Sequence, residues 1–126
     1  MKTILVDAIH ALVIKGEGID KEMYEMLETF PNQKIILTNA DDEEIKKFLK
    51  DMPYQIFTLK HNPNKTDPEY YQQMLKSLDL GVDQVVYFEH DEVAVQNARN
   101  LGITTYYYDS KKRDIESLRK FLYQNL

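Results

Sequence analysis

Hydrophobic positions along the chain form two kinds of pattern that alternate with each other. Five short runs are continuously apolar or β-branched, which is typical of strands that are covered on both faces of a sheet. Polar and charged stretches separate these runs from one another. We therefore predict five strands, within residues 4–6, 35–37, 56–59, 85–88 and 103–107.

Between the strands, apolar residues recur three and four positions apart, as they do on one face of a helix. Met23, Met26, Leu27 and Phe30 show this spacing first. The same spacing predicts four further helices, within residues 45–52, 71–78, 91–98 and 115–122. Strands that alternate with helices in this way predict an α/β fold, with a parallel sheet between two layers of helices and right-handed crossovers.

Length and composition are those of one ordinary globular domain. The chain has 126 residues, of which 43% are hydrophobic and 29% charged. It contains no cysteine, which excludes disulfides, thiolate metal sites and cysteine nucleophiles. Met1 leads directly into a predicted strand, and no apolar run is long enough to span a bilayer. We therefore expect a cytoplasmic protein without a membrane contact.

The charge pattern argues against one class of partner. The formal net charge is −5 at pH 7, and charges of both signs are mixed along the chain without a basic block. Binding to the phosphate backbone of nucleic acids normally needs clustered lysine and arginine. We therefore expect no nucleic-acid partner.

Polar side chains follow every predicted strand, and all three histidines are among them. In parallel sheets, ligands bind beyond the carboxyl ends of the strands, so these residues are candidates for chemistry. A structural alternative stays open, because Glu89 or Asp91 and Asn39 could each cap a following helix. The candidates are Asp7, His10, Thr38, Asn39, Lys60, His61, Lys65, Glu89, His90, Asp91, Asp109 and Ser110.

The order of these residues resembles the haloacid dehalogenase (HAD) superfamily over nearly the whole chain. An apolar strand ends in Asp7, and "IILTNA" (35–40) looks like the second family motif. "NKTDPEYYQQMLKSLDL" (64–80) looks like the third motif, in which a lysine precedes a helix. "VVYFEHDEVAVQNARNLGIT" (85–104) looks like the fourth. The resemblance implies a three-layer, Rossmann-like (HAD-like) fold with a five-stranded parallel sheet in the order 5-4-1-2-3.

The resemblance also implies roles in phosphoryl transfer. Asp7 matches the family nucleophile, which forms an aspartyl-phosphate. Thr38 and Lys65 match the groups that bind the phosphoryl oxygens, and we assign the neighbouring Asn39 to phosphate binding as well. The implied partner is a phosphorylated substrate or ligand.

In the family, acids of the fourth motif hold Mg²⁺ together with the nucleophile. Glu89 stands at the first of these acids, His90 stands where a second acid often lies, and Asp91 is a shifted substitute. The resemblance therefore implies a Mg²⁺ site formed by Asp7, Glu89 and Asp91, with the backbone carbonyl of Ile9 helping. Oxygen ligands of this kind suit Mg²⁺.

The first motif departs from the family pattern D-x-D-G-[TV]-[LV]-V. The stretch "DAIHALV" (7–13) keeps the first aspartate but has Ile9 at the place of the second, which is the general acid/base. His10 replaces the glycine and Ala11 the following residue. General acid/base catalysis typically contributes 10²–10⁴-fold, so a protein without it is expected to be a slow enzyme or none.

The histidines offer alternatives. His10 has a suitable pKa for acid/base work, but it lies one residue past the position that faces the site, so we expect its side chain on the other side of the turn. A zinc site of three histidines is disfavoured, because the third strand should lie two places from the first and keep His61 distant.

Two functions remain open from sequence. One is a small HAD-type hydrolase of phosphate esters, and the other is a non-catalytic HAD-like domain for binding or regulation. The segments 16–34 and 59–67 are too short for a cap, so we expect a single domain over residues 1–126 with an open site. In the family, an open site accompanies large substrates or closure by a second copy or a protein partner.

Overall fold

The computed structural model describes residues 1–126 and contains seven strands, five α-helices and a short 3-10 helix at Val82–Gln84. In chain order the elements are β1 (Thr3–Asp7), β2 (Val13–Ile14), β3 (Gly18–Ile19), α1 (Lys21–Glu28), β4 (Lys34–Thr38), α2 (Asp42–Phe48), β5 (Gln55–Thr58), α3 (Glu69–Leu78), β6 (Val85–Glu89), α4 (Glu92–Leu101), β7 (Thr104–Tyr107) and α5 (Ile115–Asn125). No helix is both long enough and apolar enough to cross a membrane.

The main sheet has five parallel strands in the order β5-β4-β1-β6-β7. The predicted order 5-4-1-2-3 counts only the strands of this sheet, so its strands 1 to 5 are β1, β4, β5, β6 and β7. Read from β7 to β5, the observed order is the predicted one. The predicted parallel sheet, with the first strand at its centre, is thereby confirmed. Val6 pairs with Ile36 on one side and with Phe88 on the other. This register brings the ends of β1, β4 and β6, namely Asp7, Thr38 and Glu89, to the same edge of the sheet.

Helices cover both faces of the sheet because each strand buries side chains on both sides. In β1, Ile4 and Val6 belong to a core beneath α1 and α5, whereas Leu5 belongs to a second core beneath α3 and α4. Every residue of β1 is buried. The continuous apolar run in the sequence is therefore explained by two cores that share one strand.

Two local features differ from the prediction. A two-stranded antiparallel hairpin, β2–β3, follows β1, and its strands of two residues each are too short to give a periodic signal. The second helix ends at Phe48, before the predicted Met52, because Leu49 leaves helical geometry with φ −124° and Asp51 has a positive φ of 58°.

The connection after β1 is tied to the distant Arg113. The guanidinium donates to the carbonyl oxygens of His10 at 2.9 Å and Ala11 at 2.7 Å, and to the Asp20 carboxylate at 2.6 Å. The loop that carries Ile9 and His10 is thus held against the N-terminal end of α5 rather than left to solvent.

Candidate functional site

A pocket opens at the carboxyl edge of the sheet, where ligands bind in folds of this type. Ile9 and all three histidines of the chain, His10, His61 and His90, are among the residues that line it. The six residues that the sequence assigned to a site all line this pocket: Asp7, Thr38, Asn39, Lys65, Glu89 and Asp91.

The centre of the pocket is a buried ion cluster. The Lys65 ammonium donates to Asp7 Oδ1 at 2.8 Å, to Glu89 Oε1 at 2.8 Å and to the Leu37 carbonyl oxygen at 3.0 Å. An ammonium has three protons, so these bonds use all of them. Lys65 therefore holds the two carboxylates together and has no proton left for a phosphate oxygen in this arrangement.

The electrostatics of the cluster keep Asp7 ionised. Burial by itself would raise the pKa of Asp7, but the Lys65 charge and the hydrogen bond from His90 outweigh it and lower the pKa to about 2. Burial likewise would lower the pKa of Lys65, and the charges of Asp7 and Glu89 hold it well above its usual value. The carboxylate and the ammonium are both charged at neutral pH.

His90 supplies the second set of bonds to the carboxylates. Its Nδ1 lies 2.5 Å from Asp7 Oδ2 and 3.2 Å from Glu89 Oε2, and its backbone N–H donates to Asp7 Oδ2 at 3.0 Å. Burial would lower the pKa of His90, but the hydrogen bonds to Asp7 and Glu89 raise it to about 10. In the fourth motif of the sequence, this histidine stands at the position where a second acid is common.

This raised pKa makes stability depend on pH in a predictable direction. Below its ordinary pKa of 6.5, His90 is protonated in both states and its stabilising contribution is complete. Between 6.5 and about 10 only the folded protein keeps the proton, so the free energy of unfolding should fall as pH rises. We expect His90 to add a slope of about 1.4 kcal/mol per pH unit in this range.

Urea unfolding of the wild type and of His90→Asn at pH steps from 6.5 to 9.5 would measure this slope. The variant should show a flatter dependence, and the exposed pair of His61 with Glu44 titrates in both proteins and cancels in the difference. Parallel curves for the two proteins would contradict the assignment of a protonated His90.

The side-chain oxygens of Thr38 and Asn39 each accept a hydrogen bond from a backbone N–H, which fixes both side chains. Thr38 Oγ1 accepts from the Ala40 N–H at 3.2 Å, and Asn39 Oδ1 accepts from the Lys65 N–H at 2.7 Å. The Thr38 hydroxyl proton and the Asn39 amide protons make no bond within the chain, so both can donate to a ligand. Tyr70, which the sequence did not single out, donates to the Thr38 carbonyl oxygen at 2.9 Å and fixes the end of β4.

Helix capping accounts for two acids at the pocket. Asp91 Oδ1 accepts from the Ala94 N–H at 3.0 Å as the N-cap of α4, which is the structural alternative that the sequence left open. For α2 the cap is Asp41, in a capping box with Glu44, and not Asn39. Asp41 and Glu44 are three residues apart, which is the spacing of a capping box, so this signal is visible in the sequence.

The residues that replace the missing acid/base both reach the pocket. Ile9 lines it, as expected two residues after the strand-end aspartate. His10 lines it as well, contrary to the expectation that it would lie on the other side of the turn. The reason is its left-handed backbone, with φ 76°, which redirects the side chain so that its ring lies 5.0 Å from that of His90.

Two groups of side chains have ligand atoms close enough to share a metal ion. One is Asp7, Glu89 and His90, and the other, at the rim, is Asp41, Glu44 and His61. No group contains more than one histidine, so the disfavoured zinc site of three histidines is not formed. His61 Nε2 is instead 2.5 Å from Glu44, and its Nδ1 is 2.8 Å from Asn64.

The first group does not fit Mg²⁺ in this arrangement. Mg²⁺ demands oxygen ligands in near-ideal octahedral geometry. Here two nitrogens lie between the Asp7 and Glu89 carboxylates, Lys65 Nζ and His90 Nδ1. The carboxylate of Asp91 is turned to its helix cap.

Comparison with known proteins shows which fold this is. No protein-family model and no curated protein matches the chain. A crystal structure of an uncharacterized protein from Listeria monocytogenes superposes with a TM-score of 0.76 at 14% identity, covering 98% of each chain. A HAD family enzyme from Bacteroides thetaiotaomicron, in complex with magnesium and inorganic phosphate, superposes with a TM-score of 0.65 at 10% identity, covering 87% of this chain and 95% of that one.

A third neighbour is the N-terminal part of a Bacteroides fragilis protein that contains a phosphatase domain, complexed with Mg. It superposes with a TM-score of 0.60 at 13% identity, over 97% of this chain and 39% of that chain. These neighbours share the architecture of this chain at low sequence identity. The chain thus has a haloacid dehalogenase-like fold, as its sequence motifs implied.

Proposed function

We propose that the chain is a phosphate-ester hydrolase of low turnover, with Asp7 as its nucleophile. The observation that carries this proposal is the Asp7 carboxylate itself. It is ionised, lies at the carboxyl end of the central strand, and faces a pocket that also contains the unused donors of Thr38 and Asn39. An ionised carboxylate attacks phosphorus without losing a proton, so it needs no base for the first step.

The chemistry would run in two steps. An Asp7 oxygen forms a bond to phosphorus while the bond to the ester oxygen breaks, and the leaving alkoxide takes a proton from water. Water then attacks phosphorus in the aspartyl-phosphate, releasing inorganic phosphate and the free carboxylate. Thr38 and Asn39 would hold the phosphoryl oxygens by hydrogen bonds, and positioning of this kind is a large part of phosphoryl-transfer catalysis.

The low turnover follows from Ile9, which can neither protonate the leaving group nor activate water. His10 is the nearest substitute for the second step. Burial and the charge of His90 lower the pKa of His10, so its ring is neutral near pH 7 and able to accept a proton from water. In this proposal, no residue of the pocket protonates the leaving group, which takes its proton from water.

The proposed site is open. Between β1 and β4 the chain contributes only the β2–β3 hairpin and the eight-residue helix α1, and between β5 and α3 it forms turns. We propose that the chain is a single domain without a cap. The matching substrate would be large, or a second copy or protein partner would close the pocket.

One observation favours a second candidate function, a phosphate-binding domain without turnover. Both oxygens of Asp7 accept hydrogen bonds from Lys65 or His90, and the side chain is only 2% exposed. Attack on phosphorus would require the His90 ring to move away from Oδ2. A binding domain needs no such movement, because Thr38 and Asn39 donate without displacing any bond.

Release of phosphate from a broad panel of phosphate esters, with and without Mg²⁺, would test the proposal. We expect slow hydrolysis of at least one ester by the wild type and none by Asp7→Asn, which keeps the shape of the side chain but removes the nucleophile. Equal activity in the variant would exclude Asp7 as the nucleophile. No hydrolysis, together with binding of inorganic phosphate, would favour the binding domain.

A further inference from the structure

We propose that the His90 ring takes the place between the Asp7 and Glu89 carboxylates that a divalent cation would need, so that phosphate groups bind at this pocket without a metal. The part that concerns phosphate rests on the proposed function. The part that concerns the cation stands on the geometry of the cluster alone.

The first support is that all four carboxylate oxygens already accept hydrogen bonds. Asp7 Oδ1 and Glu89 Oε1 accept from Lys65, and Tyr87 also donates to Oε1. Asp7 Oδ2 accepts from the ring and backbone of His90, and Glu89 Oε2 accepts from the Asp91 N–H at 3.0 Å. Every carboxylate oxygen that a metal ion could bind is therefore already bonded to at least one N–H group.

The second support is the position of the His90 nitrogen. Nδ1 lies 2.5 Å from one carboxylate and 3.2 Å from the other, which are hydrogen-bonding contacts to both. The backbone N–H of the same residue is bonded to Asp7, so the ring is anchored next to the gap that it fills. This nitrogen therefore bridges Asp7 Oδ2 and Glu89 Oε2, whereas Lys65 bridges the other oxygen of each acid.

The third support is that ligand donors remain once the carboxylates are satisfied. The Thr38 hydroxyl and the Asn39 amide make no donor bond within the chain, and both residues line the pocket. Hydrogen bonds to a charged phosphate are stronger than those to neutral groups. These two groups could bind a phosphate without any change in the Asp7–Glu89–Lys65 cluster.

The experiment uses Mg²⁺ and inorganic phosphate as separate probes of the full chain. In phosphate-free buffer, we expect the wild type to show no saturable response to Mg²⁺, as measured by calorimetry and by amide NMR shifts. His90→Asp places a third carboxylate at the gap and should gain a saturable, Mg²⁺-dependent rise in melting temperature. His90→Asn opens the same gap with less added charge and serves if the first variant does not fold.

Phosphate is then titrated in EDTA and in Mg²⁺. The wild-type dissociation constants in the two conditions should agree within about twofold. In EDTA, His90→Asn should weaken binding by about tenfold or more, because it removes the ring nitrogen that bonds to both carboxylates beside the anion. His61→Asn removes another pocket histidine as the control, and it should not introduce a metal requirement.

The outcomes separate the inference from the proposed function. Saturable Mg²⁺ binding by the wild type that Asp7→Asn abolishes would overturn the inference, whatever phosphate does. Phosphate binding that requires Mg²⁺ would overturn it as well. A wild type that neither binds phosphate nor cleaves any ester would contradict the proposed function, while the Mg²⁺ titrations would still decide the question of the cation.

Discussion

Replacing Lys65 with methionine is expected to lower the free energy of unfolding by about 3–5 kcal/mol, because it removes the more deeply buried of the two cations that Asp7 and Glu89 share. The side chains of Lys65, Asp7 and Glu89 are 7%, 2% and 1% exposed, so water cannot replace the lost ammonium. Methionine keeps most of the length of the side chain, so the change tests the charge rather than the packing. Denaturant unfolding at pH 7 would measure the loss.

Lys60→Met is the matched control for this prediction. Lys60 pairs with Asp42 at 3.2 Å, but its side chain is 57% exposed. We expect a change within about 0.5 kcal/mol, as for other surface pairs. The double variant Lys65→Met, Asp7→Asn should lose less than the sum of the single losses, because removing one acid relieves the other. Equal losses at positions 60 and 65 would contradict the buried cluster.

The sheet could be predicted from sequence because its signal is local. Each strand of the main sheet is a continuous apolar or β-branched run, and each run ends at a polar residue such as Asp7 or Glu89. The register of parallel strands then brings these ends to one edge without any further information. The β2–β3 hairpin was not predicted, because strands of only two residues are too short to show a periodic pattern.

The composition of the site could be predicted, but its bonding could not. Lys65 contacts Asp7 across 58 residues and Glu89 across 24, and no local pattern shows that its three protons are all used there. The direction of the His10 side chain depends on a left-handed φ that a non-glycine residue seldom adopts. The place of His90 between two acids likewise depends on strands that meet only in the fold.

Replacing Ile9 with aspartate is expected to raise phosphatase activity by about 10²-fold or more, by restoring a general acid/base two residues after the nucleophile. Ile9 lines the pocket that contains Asp7, so a carboxyl group there can reach a leaving oxygen or an attacking water. The new acid would lie near Asp7, which favours its protonated form and suits a proton donor. Initial rates of phosphate release across the ester panel, as kcat/KM, would measure the gain.

The matched control is Ile9→Asn, which has the same shape as the aspartate but neither donates nor accepts a proton as an acid/base. Its activity should stay at or below that of the wild type. The double variant Ile9→Asp, Asp7→Asn should be inactive, because the gain depends on the nucleophile. Ile9 also packs partly against the core, so a circular dichroism melt must show that each variant is folded. A folded Ile9→Asp protein that cleaves no ester in the panel would count against a latent hydrolase, and would favour the phosphate-binding domain, in which the bonds of Lys65 and His90 to Asp7 are permanent.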